Sequence, residues 1–137
     1  MYIVFADIYV IDHCGNLFDA STLGVVSAAI TAKIPKFEIG EDGSVTFLKD
    51  ETVPLPIKNK LVTLTWGRIG ESLILDPSID EEQIMDARLT IGIDETGHIV
   101  SMQKGGMGSL TIDDVTHIVS QSMEISKEIM KHLPKGG

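Results

Sequence analysis

The sequence predicts one compact α+β domain, in which a mixed or antiparallel sheet packs with two main helices. Two observations support this prediction: the length of 137 residues and the order of the elements, which runs strand, helix, strands, helix. A chain of this length buries one core and is too short for two ordinary domains. Strands that follow one another in a run, with helices set apart from them, are typical of α+β layers.

The chain opens on residues 1–12, an almost continuous run of β-branched, aromatic and other apolar residues. Such a run is typical of a central strand that is covered on both faces. A turn is expected at Gly15 and Asn16, because both residues tolerate the left-handed backbone of a tight reversal. We expect a helix over roughly 20–33, with Asp19 as its cap.

A peripheral hairpin is predicted next, because Lys36–Ile39 and Ser44–Leu48 flank the Asp42-Gly43 pair. Asp-Gly between two strand-like segments is a strong local signal for a hairpin turn. Val53–Pro56 contains two prolines, which cannot donate hydrogen bonds to a sheet. This segment is therefore expected to be an extended connector or an edge.

Four more strand-like segments follow, and we expect them to form a second antiparallel meander. They are Leu61–Trp66, Ser72–Leu75, Arg88–Ile93 and His98–Met102.

The C-terminal helix is the clearest local prediction. Thr111 followed by Asp113 and Asp114 reads as an acidic variant of a capping box at a helix start. Residues at helical spacing then form one apolar face, which we expect to lie on the sheet. They are Val115, Ile118, Ser122, Ile125, Ile129 and Leu133.

The formal net charge is −9, with 20 acidic against 11 basic residues. Such a field repels phosphate backbones, so an autonomous nucleic-acid binder is not expected and a protein partner is favoured. The longest apolar run, near residues 1–11, is broken by Asp7, and no secretory signal is recognisable. These features predict no membrane association and a cytoplasmic location.

Metal and phosphate sites have weak support in the sequence. The four histidines, at positions 13, 98, 117 and 132, lack the spacing of metal ligands, so no metal or other cofactor is expected. Lys104, Gly105 and Gly106 begin a glycine run that precedes a helix and could offer backbone N–H groups to a phosphate. A flexible connection is the favoured reading, because a P-loop has its lysine at the end of the glycine run.

The acidic stretch over residues 76–86 leaves two readings open. Several carboxylates after a strand could bind a divalent cation or serve as a general acid. Alternatively, the stretch is a short helix that Ser78 and Asp80 cap and whose positive end Glu81 and Glu82 complement. The residues alone favour the helix, because acidic first turns are common.

Four ordered motifs resemble the ribonuclease PH family. They comprise residues 7–12, residues 15–23, residues 75–77 with 80–87, and residues 102–109. Within the family, the Asp-Pro, Glu-Glu and Ile-Met-Asp-Ala elements of the third motif resemble the non-catalytic ring subunit of the archaeal exosome. The resemblance implies a two-layer ribonuclease PH-like domain over residues 1–137, equivalent to the C-terminal half of a longer family pattern.

The resemblance also implies phosphorolysis, in which phosphate attacks the last RNA phosphodiester and a nucleoside diphosphate leaves. Catalytic members carry a Gly-Thr-Arg or Gly-Ser-Arg phosphate loop, whose last two positions here are Leu17 and Phe18 after Gly15 and Asn16. A phenyl ring cannot bind phosphate as a guanidinium does. The two acidic positions of the family correspond to Asp80 and Asp86, which keep their six-residue separation.

The resemblance therefore predicts no catalytic residue in this chain and a non-catalytic role in a hexameric exosome ring. The expected partners are a catalytic ribonuclease PH-type subunit and, through the assembly, RNA. Two alternatives stay open. One is an active phosphorolytic exoribonuclease, with Asp86 as acid and Lys104 or Arg88 in place of the missing arginine. The other is a free-standing binding domain of the same fold.

Overall fold

The computed structural model describes residues 3–135, without the side chains of Lys49 and Asp50. Every strand pairing in it is antiparallel. The predicted α+β class is confirmed. The elements, in chain order, are α1 (Leu17–Thr31), β1 (Lys33–Ile39), β2 (Val45–Pro54), β3 (Leu61–Ile69), β4 (Ser72–Leu75), α2 (Ile79–Ile84), β5 (Ala87–Asp94), β6 (Ile99–Gly105) and α3 (Ile112–Met130).

The main sheet has the strand order β4-β3-β5-β6. The four predicted strands are confirmed, but the prediction that they form a simple meander is wrong, because β5 pairs with β3 and not with β4. The chain turns from β3 into β4 at Gly70, and α2 then carries it past the end of β3 to the other side of that strand, where β5 pairs with it. The length of the α2 segment permits this crossing, which a two-residue turn would not.

The core lies where α3 covers β3 and β5. Trp66 is 7% exposed, and its indole N–H donates to the hydroxyl of Ser122 on α3 at 2.9 Å. The predicted cap of α3 is confirmed, because Thr111 and Asp114 each accept from the other's backbone N–H. The buried apolar cluster consists of Ile30, Val62, Leu64, Trp66, Leu89, Ile91, Ile93, Ile118 and Leu133.

The β1–β2 hairpin is confirmed and is longer than predicted. It forms a separate two-stranded sheet. The ring centroids of Phe37 and Phe47, which face each other across it, are 6.4 Å apart in an edge-to-face contact. β2 continues to Pro54, which is tolerated as the last residue of an edge strand.

The prediction of a central strand over residues 1–12 is wrong for the part that the structure describes. Residues 3–13 belong to no strand, and Ile3, Phe5, Tyr9 and Ile11 expose most of their side chains. A strand forms only where another strand accepts and donates its backbone hydrogen bonds. No partner strand for this segment lies within residues 3–135. Met1 and Tyr2 lie outside the described residues.

The prediction that Asp19 caps α1 is also wrong. The cap is Asn16, which has a φ of 46°, and its side chain accepts from the backbone N–H of Asp19. The helix consequently begins at Leu17, about one turn before the predicted start. Asparagine suits this position because it tolerates the left-handed backbone and supplies a short acceptor.

No helix within residues 3–135 combines the length and the apolar composition that crossing a bilayer requires.

Candidate functional site

The loop that precedes α1 packs against the start of α2. Gly15 forms a backbone bridge with Ser78, and the N–H of Ile79 donates to the carbonyl of Cys14 at 2.8 Å. Gly15 has a φ of 118°, and a Cβ atom there would lie 2.4 Å from the carbonyl oxygen of Pro77. The contact therefore requires glycine, and it brings the predicted phosphate-loop position beside the acidic segment.

Asn16 is the centre of a buried polar cluster and is only 4% exposed. Its backbone N–H donates to Glu82 Oε1 at 3.0 Å. Its side-chain amide donates to Asp76 Oδ1 at 2.6 Å and to Asp19 Oδ2 at 2.8 Å. All of its N–H groups are thus used inside the protein, so Asn16 anchors the loop and offers no donor to a ligand.

Asp19 connects the first turn of α1 to the sheet through Thr65. Its carboxylate accepts from the backbone N–H and the hydroxyl of Thr65, and the Thr65 hydroxyl also contacts the hydroxyl of Thr90 at 2.9 Å. Sequence reasoning missed this network. The available signal was a threonine among the apolar residues of each of two strands, Thr65 and Thr90, at positions that proved to be buried.

Leu17 and Phe18 are the residues at the predicted phosphate-loop positions. Leu17 is half-buried, and Phe18 is 42% exposed. The guanidinium carbon of Arg88 lies 4.4 Å from the centroid of the Phe18 ring. A cation therefore lies over the Phe18 ring.

Arg88 lies between Phe18 and the glycine run. A Cβ at Gly105 would approach the Arg88 guanidinium to 3.1 Å, so the absence of a side chain at Gly105 makes room for it. The buried Nε of Arg88 has no hydrogen-bond partner within residues 3–135. Stacking on Phe18 and the space beside Gly105 thus hold Arg88. It contacts both the motif of residues 15–23 and the motif of residues 102–109.

The two acidic positions have different surroundings. Asp80 is exposed on the first turn of α2. Asp86 directly precedes β5, and its carboxylate accepts from the backbone N–H of Gly70 at 2.9 Å. The structure therefore brings Asp86 to the β3–β4 turn, where it holds the backbone.

The short-helix reading of the acidic stretch is confirmed. α2 begins with a capping box, in which Ser78 accepts from Glu81 and the Glu81 carboxylate accepts from the N–H and hydroxyl of Ser78. The backbone donor contributes most and the hydroxyl next, and together they hold the pKa of Glu81 below its usual value. Ile84, the last residue of the helix, is largely exposed.

The glycine run packs against the backbone of Asp86. The N–H of Gly108 donates to the carbonyl of Asp86 at 2.7 Å. Gly106 has a φ of 78°, and a Cβ there would lie 2.7 Å from the same carbonyl. The Lys104 ammonium donates to the carbonyl of Gly106 at 2.6 Å. The run is therefore a strand-to-helix connection that hydrogen bonds hold against the backbone of Asp86.

Comparison with known proteins identifies this arrangement. Residues 61–125 match the family described as "3' exoribonuclease family, domain 2". The exosome complex component Rrp42 of Thermococcus gammatolerans is 44% identical over 131 residues, which are 96% of this chain and 48% of the relative. The chain belongs to the ribonuclease PH family. It spans about half the length of the curated relatives that it matches.

Solved structures of the ribonuclease PH family agree with this assignment. An archaeal exosome core superposes with a TM-score of 0.76 at 28% identity, over 90% of this chain and 47% of the other. An exosome of Archaeoglobus fulgidus, described as having RNA bound to the active site, superposes with a TM-score of 0.75 at the same identity, over 90% of this chain and 45% of the other.

The basic side chains nearest these ribonuclease PH motifs are all engaged. Arg88 stacks on Phe18 and Lys104 donates to its own loop. Arg68 donates to the carbonyls of Gly70 and Ser109. Across residues 3–135, no group of three or more His, Cys, Asp or Glu is arranged to hold a metal ion.

Proposed function

We propose that this chain is the C-terminal, single-domain half of a non-catalytic exosome ring subunit. The observation that carries the proposal is the Phe18–Arg88 stack at the position of the phosphate loop. Phosphorolysis needs cations that are free to hold phosphate in place. Here the loop position is aromatic, and the nearby guanidinium of Arg88 stacks on it.

The partner in this proposal is a catalytic ribonuclease PH-type subunit, with which the chain forms a hexameric ring and whose active site it helps to shape. The whole assembly acts in the cytoplasm and degrades RNA from the 3' end. The net charge of −9 supports a role beside a partner, because the chain alone repels phosphates. Weak and strongly salt-dependent binding of single-stranded RNA is expected for the isolated chain.

Reconstitution tests the proposal. The chain, the catalytic subunit and their mixture are each given oligo-RNA and phosphate, and both particle mass and nucleoside diphosphate release are measured. The chain alone should release none, and the mixture should form a larger particle that releases more than the catalytic subunit alone.

Two results would contradict this scheme in different ways. Diphosphate release by the chain alone, abolished by Asp86→Ala, would show that the chain is itself an active phosphorolytic enzyme. If light scattering detects no complex between the chain and the catalytic subunit, the chain is a free-standing binding domain.

A further inference from the structure

The β1–β2 hairpin carries an uncovered apolar face. Phe37 pairs with Phe47 and Ile39 with Val45, and residues directly opposite on two strands project to the same side. The exposed fractions are 68% for Ile39, 54% for Val45 and 59% for Phe47. Phe37, beside them, is half-buried. We call Ile39, Val45 and Phe47 the hairpin face. Ile39 and Val45 form one cross-strand pair, and Phe47 belongs to the next pair on the same side, so the three exposed side chains are neighbours.

The described charged side chains next to the hairpin face lie at the tip of the hairpin and on its other side. Glu41 and Asp42 form the tip. Glu38 pairs with Thr46, and this pair projects away from the hairpin face because side chains alternate along a strand. Lys36 is already paired with Glu51 at 2.9 Å. The hairpin thus combines an apolar strip with an acidic end.

An isolated two-stranded hairpin is only marginally stable in water, and this one forms a sheet separate from the main sheet. A covering surface would both stabilise it and remove aromatic and β-branched side chains from water. The acidic tip selects the kind of surface. A nucleic acid or a second copy of this chain, itself at −9, would bring negative charge against it.

We propose that the hairpin face docks on a partner protein whose surface offers an apolar strip edged by lysine or arginine. The inference rests on the proposed function in one respect, which is that the catalytic ring subunit is the partner to be probed. It goes beyond that function by assigning the contact to a specific surface.

The test measures the Kd of the full chain for the catalytic ribonuclease PH-type subunit at several salt concentrations. Ile39→Ser and Phe47→Ser should each weaken binding at least about tenfold, as central apolar contacts do. Thr46→Ser, on the opposite side of the hairpin, is the matched control and should leave Kd unchanged. Circular dichroism of each variant verifies that the hairpin and the main sheet remain folded.

A second pair of variants tests the charge. Glu41→Lys at the tip should weaken binding and reduce its salt dependence. Glu38→Lys makes the same charge change on the far side and should have a smaller effect. Equal effects of the two would show that only net charge matters and would overturn the tip contact.

The remaining outcomes separate this inference from the proposed function. If the complex tolerates every hairpin variant, the docking site is refuted and the proposal of a ring subunit is unaffected. Failure of the wild-type chain to bind the catalytic subunit would sink both. Loss of self-association in the serine variants, without any effect on the complex, would assign the face to a second copy and contradict the proposal.

Discussion

The carboxylate of Asp19 accepts two hydrogen bonds from Thr65, one from the backbone N–H at 2.7 Å and one from the hydroxyl at 2.9 Å. Asp19 lies on the first turn of α1, and Thr65 is a buried residue of the central strand β3. This pair fixes the position of the helix start against the sheet, and through Asn16 it also connects to α2.

Asp19→Asn should destabilise the chain by about 1.5–3 kcal/mol, the range for hydrogen bonds to charged groups. Thr65→Val removes the hydroxyl but keeps the backbone N–H, so it should cost less than Asp19→Asn. The double variant should cost less than the sum, because both changes affect the bond between the Thr65 hydroxyl and the Asp19 carboxylate. Urea unfolding measures the three values. Asp80→Asn is the control, because Asp80 is exposed, and it should shift stability by less than about 0.5 kcal/mol. Additive losses would show that the two residues act separately.

Gly15→Ala should cost about 2 kcal/mol or more, because the new methyl group would meet the backbone of Pro77 and the φ is unfavourable for alanine. Gly24→Ala, in α1, places its methyl group in open space and should be neutral or stabilising by up to about 1 kcal/mol. Thermal unfolding of the two variants in parallel gives the comparison. Equal melting temperatures would contradict the close approach of the loop to α2.

The helix-capping carboxylates should make stability fall at acidic pH. Hydrogen bonds from the caps Ser78 and Thr111, the backbone N–H first, lower the pKa of Glu81 and of Asp114. A lowered pKa in the folded state stabilises the fold fully above the unfolded pKa of about 4. This contribution is lost as pH falls through the lower, folded pKa. The variants Glu81→Gln and Asp114→Asn should flatten the decrease, measured by urea unfolding between neutral pH and pH 3. An unchanged profile in both would argue against the caps.

Phe18→Arg should not create phosphorolytic activity, because catalysis needs a complete and pre-organised set of groups and not one added charge. It should instead destabilise the chain, since a second guanidinium would replace the ring that now faces Arg88. Phe18→Leu keeps an apolar side chain and should cost about 0.5–1 kcal/mol for the lost cation–π contact. Diphosphate release from RNA and urea unfolding are both measured, and a clear gain in turnover with Phe18→Arg would refute the prediction.

The isolated chain should self-associate through its N-terminal segment. Residues 4–12 run beside α1 and, with it, enclose a groove of about 700 Å³. They belong to no strand within residues 3–135 and expose apolar side chains, so they can pair with another strand. Phe5→Lys should shift the sedimentation profile toward monomer. Met107→Lys adds the same charge at an exposed methionine elsewhere and should not. A wild-type chain that stays monomeric at high concentration would rule this out.

Local signals in the sequence were sufficient to predict several elements. The Asp42-Gly43 turn, the cap at Thr111 and the acidic first turn of α2 each involve residues within a few positions of one another. Their hydrogen bonds form within the same segment, so composition and spacing specify them.

Features that depend on distant residues were not predictable in the same way. The order of β3, β4 and β5 is decided by how α2 crosses the sheet, and the capping of α1 by Asn16 depends on Asp76 and Glu82, which are more than 50 positions away. The resemblance to the family located Phe18 and Asp86. It gave no indication that Arg88 would cover the ring.

Trp66 gives the protein a spectroscopic reporter of its own. It is the single tryptophan of the sequence, and its indole is shielded from water and bonded to Ser122 across the junction of β3 and α3. The wavelength of its emission maximum therefore reports whether α3 is packed on the sheet, and no attached dye is needed. A red shift would mark separation of α3 from β3, whereas rearrangements confined to the hairpin or the first residues would leave the emission unchanged.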